Sequence, residues 1–280
     1  MIYWDKKNLS LLATGLPLKT IAEISLKHTS DIEVLEMLKA INLKYSKRFE
    51  IMNTYNTLVQ QGIQKLPIIP VLTGIPGIGK TALAKELSIA LNINLIIGGD
   101  VLRSSIRSVL PKKGNESFFT SIYESWSFFG KCVKENIIKG YKAQCKIMNN
   151  VVQAAIVDRG FRDGESMIFE YIHFLPSQFK TEILNHPSFI PIILKITDKE
   201  VHLQRINSRE YYSHLRSSGE RLISEIDKYL QMQEYQTEEA DKFNLKTINI
   251  NNFEQGFDLI LDYIFERIEI LNNLKNYNPK

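Results

Sequence analysis

Cysteine is scarce in this 280-residue chain: there are two, Cys132 and Cys145, and neither has a second Cys or a His at metal-ligand spacing. That excludes a disulfide framework and a thiolate metal site, and it predicts reduced, structural thiols, both inside one helix. Long apolar runs are missing too. None approaches the ~20 residues a membrane span needs, so no membrane association is expected. There is no dense Lys/Arg block: 35 basic against 31 acidic side chains leave a net charge of +4. That mild excess suits an anionic ligand as well as a nucleic acid and does not decide between them. No internal repeat or low-complexity tract stands out. The apolar patch from Leu9 to Leu18 is broken by Gly15 and Pro17. A signal peptide is a poor reading of it beside the nucleotide-type loop described next, and a cytoplasmic location is expected.

What is present is a full G-x-x-x-x-G-K-[ST] stretch, Gly74-Ile75-Pro76-Gly77-Ile78-Gly79-Lys80-Thr81. An apolar run from Ile68 to Leu72 precedes it, as a buried strand would. Leu83, Leu87 and Leu91 recur every four residues after it, as a helix would. Strand, glycine loop and helix together give the motif its mechanism. Backbone N–H groups curl around phosphate oxygens, and the helix N-terminus adds free donors and partial positive charge. Gly74 to Ala82 are therefore the expected nucleotide-binding residues. Lys80 is expected to reach the β- and γ-phosphates, and Thr81 to offer its hydroxyl to Mg²⁺.

Along the chain, residues 1–65 read as helical, with helices near residues 18–26, 31–41 (Ser30 its N-cap) and 47–61. This segment is read as a cap on the core in preference to a regulatory or dimerising module. Residues 66–280 read as one P-loop kinase domain. Five short β runs, at 68–72, 94–99, 165–171, 189–197 and 245–250, alternate with helical patterns. The fold class expected is α/β: a parallel five-stranded sheet with helices on both faces, plus the helical N-terminal segment. A long helix is predicted from Lys131 to Val157.

Phosphoryl transfer needs alignment and cations around the γ-phosphate more than covalent help. Asp100, preceded by Gly98-Gly99, is expected at the end of a strand beside the loop strand, as catalytic base, with a helix N-cap as its alternative role. Glu170 ends an apolar run and is the candidate partner of Thr81 at the metal. Arg103 and Arg107 lie four apart on one helix face, over the substrate side. Arg205 and Arg209 form a second pair where small-molecule kinases carry a lid, extended by Arg216 and Arg221. Guanidinium forks suit phosphate and carboxylate, although surface salt bridging is the usual fate of such arginines. His173 is a candidate substrate residue. His202 could bind a ligand too, although a lone His, this one or His173, is more often a packed or capping residue. Tyr123 is expected to line the acceptor pocket, and Trp126 to be core.

Several further pieces carry a resemblance. They are G-D-V-L-R-S-S-I-R (99–107), S-I-Y-E-S-W (121–126), I-I-K-G-Y-K-A-Q (137–144), I-F-E-Y-I-H-F-L-P (168–176), I-T-D-K-E-V-H-L-Q-R-I-N-S-R (196–209) and Y-L-Q-M-Q-E-Y (229–235). With the loop, and in this order from about Ile69 to Ile250, they resemble the 2-phosphoglycerate kinase family. The resemblance implies transfer of the γ-phosphoryl of ATP to the 3-hydroxyl of 2-phosphoglycerate, with ATP and Mg²⁺ as cofactors and a small phosphorylated acid as partner. It implies catalytic roles for Lys80, Asp100, Arg205 and Arg209, and acceptor contacts for Arg103, Arg107, Tyr123 and His173. The chain departs from the family where Ile75, Pro76 and Ile78 fill the loop. It departs again at Tyr171, which replaces a glycine and is expected to narrow the acceptor pocket. The alternatives are a P-loop kinase of another small molecule or of RNA, and a nucleotide-binding regulator without catalysis. The absence of a basic stripe counts against RNA. The oligomeric state is left open.

Overall fold

Alternate residues of the central strand carry apolar side chains to opposite faces, and this is what covers the sheet on both sides. The computed structural model describes residues 6–27, 30–208 and 219–274. In chain order the N-terminal helices are α1 (Lys6–Leu12), α2 (Leu18–Lys27), α3 (Asp31–Ile41) and α4 (Leu43–Gln60). Then come β1 (Ile69–Thr73), α5 (Lys80–Leu91), β2 (Ile96–Gly98), α6 (Gly99–Val109) and α7 (Lys134–Ala155). They are followed by β3 (Ile168–Tyr171), α8 (Thr181–Leu184), β4 (Phe189–Lys195), α9 (Lys199–Asn207) and α10 (Glu220–Ile223). The last elements are α11 (Ile226–Lys242), β5 (Lys246–Asn249) and α12 (Phe253–Asn273).

The five strands form one parallel sheet in the order β2-β3-β1-β4-β5. With the flanking helices and the helical N-terminal segment this is the P-loop α/β fold that the sequence predicts. One face buries Ile68, Leu72, Ile192 and Leu194 against Leu83 and Leu87 of α5 and Ile260 and Ile264 of α12. The other buries Ile69, Val71, Phe169 and Phe189 against Met148 and Val152 of α7. The first cluster also takes in Ile51, Met52 and Tyr55 of α4. Leu11, Ile21, Val34, Leu38 and Phe49 form a smaller cluster among the N-terminal helices.

Several boundaries differ from the sequence reading. The apolar patch at Leu9 lies partly in α1, a helix the pattern did not reveal. Ser30 caps α3 as expected and forms a capping box with Glu33, at 3.3 and 3.2 Å. Helix α7 starts at Lys134, so Cys132 lies exposed in the turn before it, while Cys145 is buried within it. Beyond Ala155 the chain continues as a π-helical turn, Ile156–Arg162. Gly160 is part of that turn, where a Cβ would lie 2.6 Å from Ile69 Cδ1 of β1. Strand β3 begins three residues later than expected, because the Glu165 amide donates to the Arg159 carbonyl at 3.0 Å. Arg209 and Arg216 lie outside the described residues. No described helix is long and apolar enough to cross a membrane.

Candidate active site

The register aligns Thr73 with Tyr171 and Ile193, and Gly98 with Glu170. The carboxyl ends of β1 to β4 therefore open on one edge, the edge where open α/β sheets bind ligands. The loop after β1 stands there on its backbone. Gly77 has φ +81, and a Cβ on it would meet Ile206 of α9 at 2.4 Å. Only glycine fits both constraints. Ile75 and Ile78, the loop's apolar departures, are fully buried in the core. They anchor the loop from below instead of crowding its outer face.

Lys80 folds across the loop, and its Nζ donates to the Ile75 carbonyl at 2.9 Å. Thr81 Oγ1 is 3.3 Å from Glu170 Oε1. Hydroxyl and carboxylate are the hard oxygen donors that suit Mg²⁺, which takes one or two protein ligands plus substrate phosphates. Among the described residues no three His, Cys, Asp or Glu gather as an all-protein metal site, in keeping with that mode. Helix α9 braces the loop from behind. His202 Nε2 donates to the Pro76 carbonyl at 2.8 Å, so His202 is a packed buttress. Arg205 donates to Asn251 O at 2.9 Å and to Ile78 O at 3.5 Å. Burial lowers the Arg205 pKa. Burial lowers that of His202 as well, with Lys80 and Arg205 pushing the same way against the bond to Pro76.

The other side of the cleft comes from α6, the 3₁₀ turns Glu116–Phe119 and Ile122–Phe128, the loop after β3, and α11. Asp100 differs from its expected place in two ways. It sits in the first turn of α6, not at a strand end, and β3 separates its strand from β1. Gly98, and not Asp100, is the cap residue. Glu170 is thus on the strand next to the loop strand. Arg103 and Arg107 share a face as predicted, but much of their donor capacity is spent within the chain. Arg107 donates to Phe118 O at 2.8 Å and to Thr120 O at 2.7 Å, and Arg103 also donates to Thr120 O. The pair thereby folds the 116–129 segment over α6.

What is left over is polar and buried. Arg103 Nε and both ring nitrogens of His173 have no hydrogen-bond partner among the described residues. Burial pushes His173 well below the ordinary imidazole range, and the cations Arg103, Lys80 and Arg107 push it further. The site thus gathers Lys80, Arg103, Arg107 and His173 within electrostatic reach of one another. Arg103 itself is pushed down to about 10, by burial first and by Arg107 second. Tyr123 is buried and meets the ring of Tyr229 edge-on at 5.8 Å between centroids. Trp126 is half-buried against the core, with Lys228 5.7 Å from its ring.

Tyr171 does not narrow the pocket. It packs in the cluster on the α7 face of the sheet, with its hydroxyl 3.2 Å from Asn149 Oδ1. Adjacent strand residues point to opposite faces, so Glu170 and Tyr171 cannot share the cleft. Sequence reasoning missed Tyr229, which is buried and feels Tyr123, Arg221, Asp100 and Arg103. It missed Gln236 as well. Both lie in or beside the 229–235 piece, which was their only signal.

No protein-family model matches the chain. It is 25% identical to a 2-phosphoglycerate kinase of Methanopyrus kandleri over 249 residues, covering 89% of this chain and 74% of that one. It is 29% identical to the mevalonate-3-phosphate 5-kinase of Thermoplasma acidophilum over 190 residues, 68% of this chain and 91% of that one. A 2-phosphoglycerate kinase of Pyrococcus horikoshii is 27% identical over 267 residues, covering 89% of this chain and 87% of that protein. Among solved structures, a shikimate kinase from Bacteroides thetaiotaomicron aligns at 15% identity with a TM-score of 0.40, covering 72% of this chain and 98% of that one. The glycine loop on a parallel sheet, with kinases as relatives, makes the chain a P-loop phosphotransferase. The family it resembles is that of the 2-phosphoglycerate kinases, over most of its length.

Proposed function

We propose that the chain transfers the γ-phosphoryl group of ATP to the 3-hydroxyl of 2-phosphoglycerate, giving 2,3-bisphosphoglycerate. The observation that carries this reading is the pairing of a backbone phosphate cradle with a cationic cluster containing buried polar atoms that lack partners among the described residues. Those atoms are His173 Nδ1 and Nε2 and Arg103 Nε. Buried polar groups are ordinarily satisfied, so orphans beside a nucleotide loop fit a polar ligand. An acceptor with a phosphate and a carboxylate supplies the acceptor oxygens that such donors need.

Gly74 to Ala82 would hold the nucleotide phosphates, and Thr81 and Glu170 would hold Mg²⁺, which would supply shielding of phosphate charge. The acceptor hydroxyl oxygen bonds to the γ-phosphorus as the bond to the β,γ-bridging oxygen breaks, and Asp100 takes the hydroxyl proton. Lys80, Arg205 and Arg209 offset the charge that gathers on the transferring group. Arg103, Tyr123 and His173 orient the acceptor, and Arg107 holds the 116–129 segment beside them.

The 29% identity to a mevalonate-3-phosphate 5-kinase favours a second reading, in which the acceptor is mevalonate 3-phosphate, another phosphorylated hydroxy acid. One screen separates the two. ADP release is measured with 2-phosphoglycerate, mevalonate 3-phosphate and other phosphorylated three- to six-carbon acids, with Lys80→Ala and Asp100→Asn as controls. The highest kcat/KM with 2-phosphoglycerate supports the first reading, and the highest with mevalonate 3-phosphate the second. ADP release that no acceptor stimulates would sink both.

A further inference from the structure

One face of α11 carries, besides Tyr229, two glutamines that the transfer reaction does not use. Tyr229, Gln233 and Gln236 are spaced by four and three residues, so they stand along one side of the helix. Gln233 clamps the chain just after β4: it accepts from Ile196 N and donates to Ile196 O, both at 3.0 Å. Gln236, 1% exposed, reaches deeper. Its Nε2 lies 2.8 Å from Thr73 Oγ1, 2.8 Å from Ile172 O and 3.2 Å from Phe174 O. Carbonyl oxygens only accept, so the partners themselves fix which way the amide points.

The placement of those partners gives the contact its meaning. Thr73 is the last residue of β1, directly before Gly74. Ile172 and Phe174 are the two neighbours of His173. Tyr141 of α7 also donates to Ile172 O, at 2.8 Å, so this short stretch is held from two helices. The amide nitrogen has two N–H bonds, and the two shorter contacts, to Thr73 Oγ1 and Ile172 O, tie the root of the phosphate loop to the backbone beside the acceptor-side histidine. Filling space alone does not account for it. Gln236 Oε1 is buried without a partner among the described residues, a cost that an apolar side chain of equal length would avoid. What the amide adds is the connection.

We propose that Gln236 is a positioning residue that couples nucleotide occupancy of the phosphate loop to the placement of His173 in the acceptor half of the site. The inference rests on the phosphotransfer reading of the site and not on which acceptor it takes. Nucleotide in the loop restrains Thr73, and the shared amide passes that restraint to residues 172–174. By linkage, acceptor and nucleotide then raise each other's affinity by the same factor.

Hydrogen exchange, followed with and without ATP–Mg²⁺ on the full chain, tests this in wild type, Gln236→Met and Thr73→Val. In wild type, ATP–Mg²⁺ slows exchange at least about fivefold across both 74–81 and 172–175. In Gln236→Met, 74–81 still slows, while 172–175 changes by less than about twofold. Thr73→Val removes only the link to the loop and behaves the same way, so it decides the matter where Gln236→Met does not fold. With any acceptor that is turned over, Gln236→Met raises the acceptor KM at saturating ATP and the ATP KM at saturating acceptor by the same factor, about tenfold, and leaves ATP affinity without acceptor within about twofold. A merely structural defect would lower kcat through loss of active protein, with both KM values intact. Two results would overturn the inference: nucleotide protection at 172–175 in both variants equal to wild type, or none there in wild type. If no acceptor is phosphorylated, only the acceptor reading falls, because the exchange experiment needs nucleotide alone.

Discussion

Where the phosphate loop meets its ligand with backbone from eight consecutive residues, the facing side of the cleft presents side chains from separate parts of the chain. Asp100, Arg103 and Arg107 come from α6, Tyr123 from a 3₁₀ turn, His173 from the loop after β3 and Tyr229 from α11. The loop keeps its shape through buried Ile75 and Ile78 and the brace of His202 and Arg205. The acceptor half keeps unsatisfied polar atoms in its interior, an arrangement that costs stability until a ligand pairs with them. On the proposed reading, nucleotide binding is a local property of the fold and acceptor choice a distant, collective one.

The largest expected effect falls on the nucleotide side. Lys80→Ala should lower kcat about 10³-fold, because a cation aimed at developing charge is lost. Stopped turnover with intact circular dichroism would be the signature. Arg103→Met should raise the acceptor KM about 10²-fold and leave the ATP KM alone, since a charge-assisted contact is worth about 1.5–3 kcal/mol. Equal effects on both KM values would erase the division between the halves. Arg107→Met sharpens it. Because Arg107 serves the Phe118 and Thr120 carbonyls, its loss should appear mainly in urea unfolding, as about 1–3 kcal/mol of lost stability. In the loop, Gly77→Ala should cost about 1–3 kcal/mol from the positive φ and weaken ATP binding.

The smallest effect is the part of the pH dependence that comes from the acceptor half. The folded protein holds His173 well below its ordinary pKa, so below about pH 6.5 the unfolded chain binds a proton that the folded chain refuses. Its stabilising contribution is complete above that pH and falls by about 1.4 kcal/mol per pH unit on acidification. Urea unfolding at pH 7.5, 6.5 and 5.5 should show a shallower slope in His173→Gln. An unchanged slope would mean that the burial of His173 is not what the protein loses in acid.

The same contrast explains what the sequence made legible. The loop, the N-cap at Ser30 and the apolar run of β1 are contiguous patterns, and each appears as expected. The sheet order is a tertiary property, so nothing near Asp100 reveals that β3 intervenes between its strand and β1. Likewise, the spacing of Arg103 and Arg107 gives their shared face but not the carbonyls of Phe118 and Thr120, which claim them. Gln236 is silent in sequence because its partners all lie more than sixty residues earlier in the chain: 62 and 64 to the β3 loop and 163 to Thr73.

A separate consequence follows from Arg48 on α4. Its guanidinium, 2% exposed, donates to Thr14 O at 3.0 Å, to Asp258 Oδ1 at 2.8 Å and to Asp262 Oδ1 at 2.7 Å. The two aspartates belong to α12, which lies 210 and 214 residues further along the chain. At a synthesis rate of about 5–20 residues per second, α4 waits roughly 10–40 s for the partners that neutralise it. The helices made first are therefore among the last to be finished. A chain halted before α12 leaves the ribosome with a cation, and the apolar surface of Met52 and Tyr55 beside it, still open to chaperones and proteases.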